Sequence, residues 1–131
     1  MDKKTQIQKY KNNFFITLMI KIYHNPRCRK SREGLQILQE CGKDFEIIEY
    51  LKENLSFDEV KAIVNLLDIS PTTLLRKNEA VWKEHFKGKT MSDEDIIASM
   101  VKFPKLMERP IVINKEKAVI GRPPETIKQI L

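Results

Sequence analysis

Cysteine is scarce in this chain: there are two, Cys28 and Cys41, and the position three residues after Cys28 is Ser31. That serine excludes a dithiol redox motif, and two cysteines in all exclude a disulfide framework. If both lie on one helix, thirteen residues at ~1.5 Å each hold them roughly 20 Å apart, whereas a bridge needs Cα atoms within about 7 Å. Any redox cycle must then borrow an external thiol. The four glycines form no phosphate-cradling loop, and the cysteines and two histidines have no ligand spacing. Neither a nucleotide loop nor a metal cluster is expected. The longest apolar run, Phe14 to Ile20, falls far short of the ~20 residues of a membrane span. No small-residue cleavage site follows it, so a secretory signal is not expected. Repeats and low-complexity tracts are also missing.

Charge is modestly basic, +6 from 24 Lys and Arg against 18 Asp and Glu. The first 18 residues, with Lys3, Lys4, Lys9 and Lys11 against Asp2, hold +3 of it. No basic face interleaved with aromatics stands out, so a local anion site explains the remainder better than a nucleic-acid surface. At 131 residues and 41% apolar content the expectation is one compact cytoplasmic domain. It spans residues 19–131 with Met19 as the functional start, and residues 1–18 are read as a non-native or disordered extension.

What is present gathers around Cys28. In Lys21-Ile-Tyr-His-Asn-Pro-Arg-Cys-Arg-Lys-Ser-Arg32 a short apolar strand gives way to a turn at Asn25-Pro26 and then to a helix from Ser31 to Cys41. Cys28 then lies at the helix N-terminus, where unpaired backbone N–H groups and the helix dipole favour an anion. Arg27, Arg29, Lys30 and Arg32 add positive charge. These effects predict a lowered thiol pKa and a nucleophilic sulfur. Cys41 follows Leu35, Ile37 and Leu38 near the helix end, and packing is its expected role.

Further along, Phe45 to Tyr50 reads as a second strand. Ser56 with Glu59 is a capping box opening a helix through Leu67. Ser70-Pro71 starts a short helix closed by Leu75-Arg76, and Glu79 to Phe86 forms another that Gly88 ends. Ser92 with Asp95 opens a helix whose Ile96, Ile97, Met100 and Val101 make one apolar stripe. Ile111–Ile113 and Ala118–Ile120 read as a β-hairpin, and Glu125 to Leu131 as a last helix. The order is that of an α/β thioredoxin-like mixed sheet, with a helical insertion at about residues 51–107 between the second and third strands.

Four motifs, His24-Asn-Pro-Arg-Cys-Arg-Lys-Ser-Arg32, Leu74-Leu-Arg76, Glu108-Arg-Pro-Ile-Val112 and Gly121-Arg-Pro-Pro-Glu125, resemble the glutaredoxin-linked arsenate reductases of bacteria, from Met19 to the C-terminus. The resemblance implies that Cys28 attacks arsenate and that Arg76, Arg109 and Arg122 hold the oxyanion, a task suited to guanidinium forks. Taken singly, each arginine reads equally as a solvated surface residue. Lysine at any of the three is therefore expected to cost catalysis and leave the fold intact. The resemblance further implies glutathione as co-substrate, glutaredoxin as partner, no bound cofactor, and a cis-proline at Pro110 that turns Arg109 toward Cys28. His24, Asn25, Ser31 and Arg32 are supporting candidates. His24 tunes the field around the thiolate or is a surface imidazole, and Ser31 bonds the thiolate or oxyanion or caps the helix. Arg29 replaces a residue that is usually small in the family. Two other functions share the fold: an Spx-type regulator that binds RNA polymerase, and a monothiol reductase with another oxidant. Ser31 removes the cysteine pair that the regulator would use.

Overall fold

The computed structural model describes residues 19–131, so the reading of residues 1–18 lies outside the described part. The chain forms two compact units: residues 19–49 with Arg109–Leu131, and Tyr50–Glu108.

The first unit holds the sheet, β1 (Ile20–Tyr23), β2 (Phe45–Ile48), β3 (Ile111–Asn114) and β4 (Lys117–Ile120), in the order β2-β1-β3-β4. β1 pairs parallel with β2 and antiparallel with β3, and β4 returns antiparallel on β3. This is the mixed α/β sheet expected from the sequence. β2 ends two residues before Tyr50, and the hairpin is one residue tighter on each side, because Asn114 pairs with Lys117. All four β1 residues are buried, as suits an inner strand.

Helix α1 (Arg29–Glu40) lies against one sheet face. There Ile20 and Ile22 of β1 and Val112 of β3 meet Leu38, Ile127 and Ile130, with Leu35, Ile37, Cys41, Phe45 and Val119 around them. The expected last helix is a 3-10 helix, Pro124–Ile130. Its buried residues, Pro124, Ile127 and Ile130, recur every third position, and three residues per turn stack them on one face.

Two glycines let these layers close. A Cβ on Gly34 of α1 would stand 2.8 Å from Pro110 Cγ and 2.9 Å from Ile127 Cδ1, and one on Gly121 would meet the same two side chains at 2.9 Å. Both targets belong to packed, ring-locked or buried groups with little room to retreat. Gly34→Ala is expected to lower stability by about 1–3 kcal/mol through overpacking. Urea unfolding would show this as an earlier midpoint, and an unshifted midpoint would mean the joint yields freely.

The second unit packs α2 (Phe57–Leu67) and α5 (Asp93–Lys102) with the shorter α3 (Pro71–Leu74) and α4 (Ala80–His85). Both expected capping boxes form, Ser56 with Glu59 and Ser92 with Asp95. Val60, Ile63 and Val64 of α2 and Ile96, Ile97 and Met100 of α5 are buried with Leu74 and Leu106. Leu75 and Met107 form an antiparallel bridge, with Arg76 N–H donating to Leu106 C=O at 2.7 Å and Glu108 N–H to Leu74 C=O at 2.8 Å. The Arg76 side chain fastens this bridge, its guanidinium donating to Glu108 at 2.8 Å and to Glu79 at 3.3 Å. The three side chains are only 17, 24 and 26% exposed. Burial alone would lower the Arg76 pKa, but the two carboxylates raise it above the ordinary value.

This corrects the reading of Arg76 as a solvated side chain whose replacement spares the fold. Arg76→Lys loses the fork that serves two carboxylates, and about 1–2 kcal/mol of stability is expected to go with it. The measurement is the unfolding midpoint, which should drop by several degrees; no drop would return Arg76 to a purely functional role.

Candidate active site

The turn that presents Cys28 is built from main-chain bonds. His24 N–H donates to Ile48 C=O of β2 at 2.9 Å, and Cys28 N–H donates to Asn25 C=O at 3.0 Å. Asn25 Oδ1 accepts from Arg27 N–H at 3.0 Å, an Asx turn that fixes the chain before the helix. Cys28 is the N-cap residue of α1, in extended conformation at φ −95° and ψ 123°. Its C=O accepts the Arg32 N–H at 2.9 Å, so the helix starts directly beneath the sulfur.

Cys28 is partly exposed, and its thiol pKa lies below the ordinary value. Burial pushes it up, but four other influences outweigh that: the Ser31 N–H, a hydrogen bond from Arg109, the positive charge of Arg109, and the Lys30 N–H. The sulfur makes no full capping bond, so the two amides act as aimed dipoles more than as closed hydrogen bonds. Sequence reasoning was right about the helix start and wrong about the cations. Arg27, Arg29, Lys30 and Arg32 are exposed, and Arg29 and Lys30 pair with Glu33. The charge that reaches the sulfur comes from Arg109, distant in sequence.

The Arg109–Pro110 bond is cis, and so is Arg122–Pro123; only the first was expected. Pro110 C=O accepts the Gly121 N–H at 2.8 Å. Arg122 Nη1 donates to Arg109 C=O at 3.1 Å, which brings the second arginine onto the segment that carries the first. Cys28, Arg109 and Arg122 are thus linked within the sheet-bearing unit. Arg76 belongs to the helical unit, held by Glu79 and Glu108.

His24 is no surface imidazole. It is 4% exposed, and Nδ1 meets Ser31 Oγ at 2.7 Å. Burial lowers its pKa, against a smaller pull from Glu49, which favours the neutral ring. Ser31, fully buried, also accepts the Asn25 N–H at 3.0 Å. Its hydroxyl thus locks turn to helix, and its backbone N–H, not its side chain, acts on Cys28. Arg32 donates from Nη1 to Pro26 C=O at 3.1 Å, closing the same turn.

Sequence analysis gives Glu79 and Glu108 no role as partners of Arg76. Glu79 stands three residues after Arg76, a spacing that pairs charges on one turn, whereas Glu108 pairs across 32 positions and left no local signal. Cys41 ends α1. It packs beside the sheet core, and its sulfur accepts the Lys43 N–H at 3.4 Å, in keeping with a packing role. Both cysteines are free thiols. Among the described residues no His, Cys, Asp and Glu cluster could hold a metal ion, and no helix is long and apolar enough to cross a membrane.

Known proteins resemble this chain in sequence and fold. The chain is 42% identical to YfgD of Escherichia coli K12 over 118 residues, covering 88% of this chain and 99% of that protein. It is 37% identical to an arsenate reductase of Neisseria meningitidis, covering 86% and 97%. The solved structure of an arsenate reductase from Vibrio cholerae superposes with a TM-score of 0.83 at 39% identity, covering 87% of this chain and 98% of that one. The ArsC family profile matches residues 23–130, from the end of β1 through the last helix. A chain matched over that length, with a thiolate-favouring cysteine at the start of α1, belongs to the ArsC family.

Proposed function

We propose that this protein is a thiol-dependent oxidoreductase that reduces arsenate to arsenite through a covalent Cys28–arsenic adduct. One observation carries the reading: a partly exposed thiol at the start of α1 whose pKa is held down by two helix amides and by Arg109. The arsenate reductases among its relatives support the choice of oxyanion. The Cys28 thiolate attacks arsenic and displaces one oxygen, which leaves as water after protonation, so that an S–As(V) bond forms. Arg109 and Arg122 spread their guanidinium forks over the remaining oxygens as charge builds there. Arg76 is the third oxyanion arginine that the family resemblance implies, beside its duty in the helical unit.

A second thiol then supplies the electron pair that takes arsenic from the +5 to the +3 state. Per arsenate, two thiols become one disulfide and arsenite is released. With Ser31 where a dithiol enzyme would carry cysteine, that thiol is external. Glutathione is our assignment, with glutaredoxin restoring it, no bound cofactor, and the cytoplasm as the compartment. The test is arsenite formation by the wild-type chain with arsenate and glutathione, with glutaredoxin or thioredoxin added in parallel. Turnover that glutaredoxin accelerates supports the full scheme, acceleration by thioredoxin alone overturns the choice of reductant, and no arsenite in any arm overturns the activity.

A further inference from the structure

Four cations beside the nucleophile have no part in that chemistry, and they divide into two pairs. Arg29 and Lys30 each reach Glu33, at 3.1 and 3.8 Å, so part of their charge is matched on the first turns of α1. Arg27 and Arg32 have no carboxylate partner among the described residues. Both are exposed; Arg27 lies in the turn that presents Cys28, and Arg32 lies in the first turn of α1. Arg32 is bonded from Nη1 to Pro26 C=O at 3.1 Å, which holds its guanidinium against that turn. One N–H given to a carbonyl leaves the rest of the fork for an anion. Burial of His24 favours its neutral ring, which adds no charge there.

We propose that Arg27 and Arg32 select the thiol that reaches Cys28: they draw in a small thiol bearing carboxylates and disfavour a cationic one. The inference rests on the reading of Cys28 as a nucleophile whose adduct an external thiol must approach. Arsenate and a carboxylate-bearing thiolate are both anions, and their successive arrival at one sulfur is hindered by mutual repulsion. Arg109 and Arg122 are assigned to the first anion, so a separate, solvent-facing pair serves the second. Exposed charges of this kind act chiefly on encounter and are screened by salt.

Disulfide exchange on the full chain tests this without arsenate. The Cys28 thiolate attacks a symmetrical disulfide, forms one mixed S–S bond and releases one thiolate, so no other reductant is needed. The probes are oxidised glutathione (anionic), 2-hydroxyethyl disulfide (neutral) and cystamine (cationic), with the adduct at Cys28 followed by peptide mass spectrometry. At low salt the anionic-to-neutral rate ratio is expected to be roughly three- to tenfold higher in wild type than in Arg27→Gln/Arg32→Gln. The cationic-to-neutral ratio should move the opposite way, and salt at about 0.5 M should erase most of the wild-type preference. Ratios that the double substitution leaves unchanged, or that do not respond to salt in wild type, overturn the proposal. Because no arsenate is present, failure here leaves the arsenate reading standing, and failure of arsenate turnover leaves this result interpretable.

Discussion

Cys28→Ser is expected to abolish arsenate turnover, with kcat/KM falling by roughly a thousandfold or more. A hydroxyl in place of the thiol differs by one atom, yet its pKa lies far above any that two amides and one guanidinium can bring near neutrality. The amides of Ser31 and Lys30 and the Arg109 side chain would then face an uncharged oxygen that neither attacks arsenic nor exchanges with a second thiol. The fold should survive, since Cys28 caps α1 without a side-chain capping bond and is partly exposed.

Cys41→Ser is the matched control. That sulfur lies at the other end of α1, beside Leu38 and the sheet core, so a polar replacement there should cost some stability and leave turnover near wild type. Arsenite formation and the unfolding midpoint, measured together on both variants, separate the two roles. Retained turnover in Cys28→Ser would remove the covalent step altogether. Lost turnover in Cys41→Ser with an unchanged midpoint would place a second thiol in the reaction.

How much of this could be read from the chain depends on how far each signal travels. The two capping boxes and the turn at Asn25-Pro26 are local, set by residues within four positions of one another, and they formed as read; of the stripe Ile96, Ile97, Met100 and Val101, the first three are buried and Val101 is only partly so. The strand directions followed because a helix between β1 and β2 allows a parallel crossover and a short-looped hairpin forces β3 and β4 antiparallel. The last helix formed where it was read, one residue earlier at each end, and as a 3-10 helix because Pro124, Ile127 and Ile130 recur at three-residue spacing. At the site, the helix start that favours the thiolate was legible, whereas its charged partner was not. Arg27, Arg29, Lys30 and Arg32 drew attention by adjacency in sequence, but all four are exposed, and the guanidinium on the sulfur belongs to Arg109 on a different strand connection. Arg109, Arg122 and Arg76 came into view only through family motifs. Even then, the carboxylates that hold Arg76 were invisible, because Glu108 meets it across the Leu75–Met107 bridge.

Arg109→Lys and Arg109→Ala should separate the two tasks this arginine combines. Its guanidinium both bonds to and charges the Cys28 sulfur, and its carbonyl anchors Arg122 Nη1 at 3.1 Å. In Arg109→Ala the stabilised species is the thiolate, the charged form of Cys28. Losing its partner therefore raises the thiol pKa, the thiolate fraction at neutral pH falls, and the rise of alkylation rate with pH shifts to higher pH. Arg109→Lys keeps a charge but loses the planar fork, so alkylation should move less while arsenate kcat/KM still falls by about tenfold or more, close to 1.4 kcal/mol of transition-state stabilisation. Arg122→Lys should show the catalytic loss without the alkylation shift, because Arg122 bonds to the Arg109 carbonyl, whereas the side chain that lowers the Cys28 pKa is that of Arg109. The readouts are iodoacetamide rate against pH at Cys28, resolved by peptide mass spectrometry, and arsenite formation at several arsenate concentrations. If Arg109→Ala leaves the alkylation profile in place, the sulfur's low pKa belongs to the helix amides alone. If the lysine variants keep wild-type kcat/KM, the oxyanion is held by something other than these forks, and the Cys28 thiolate serves a different oxidant.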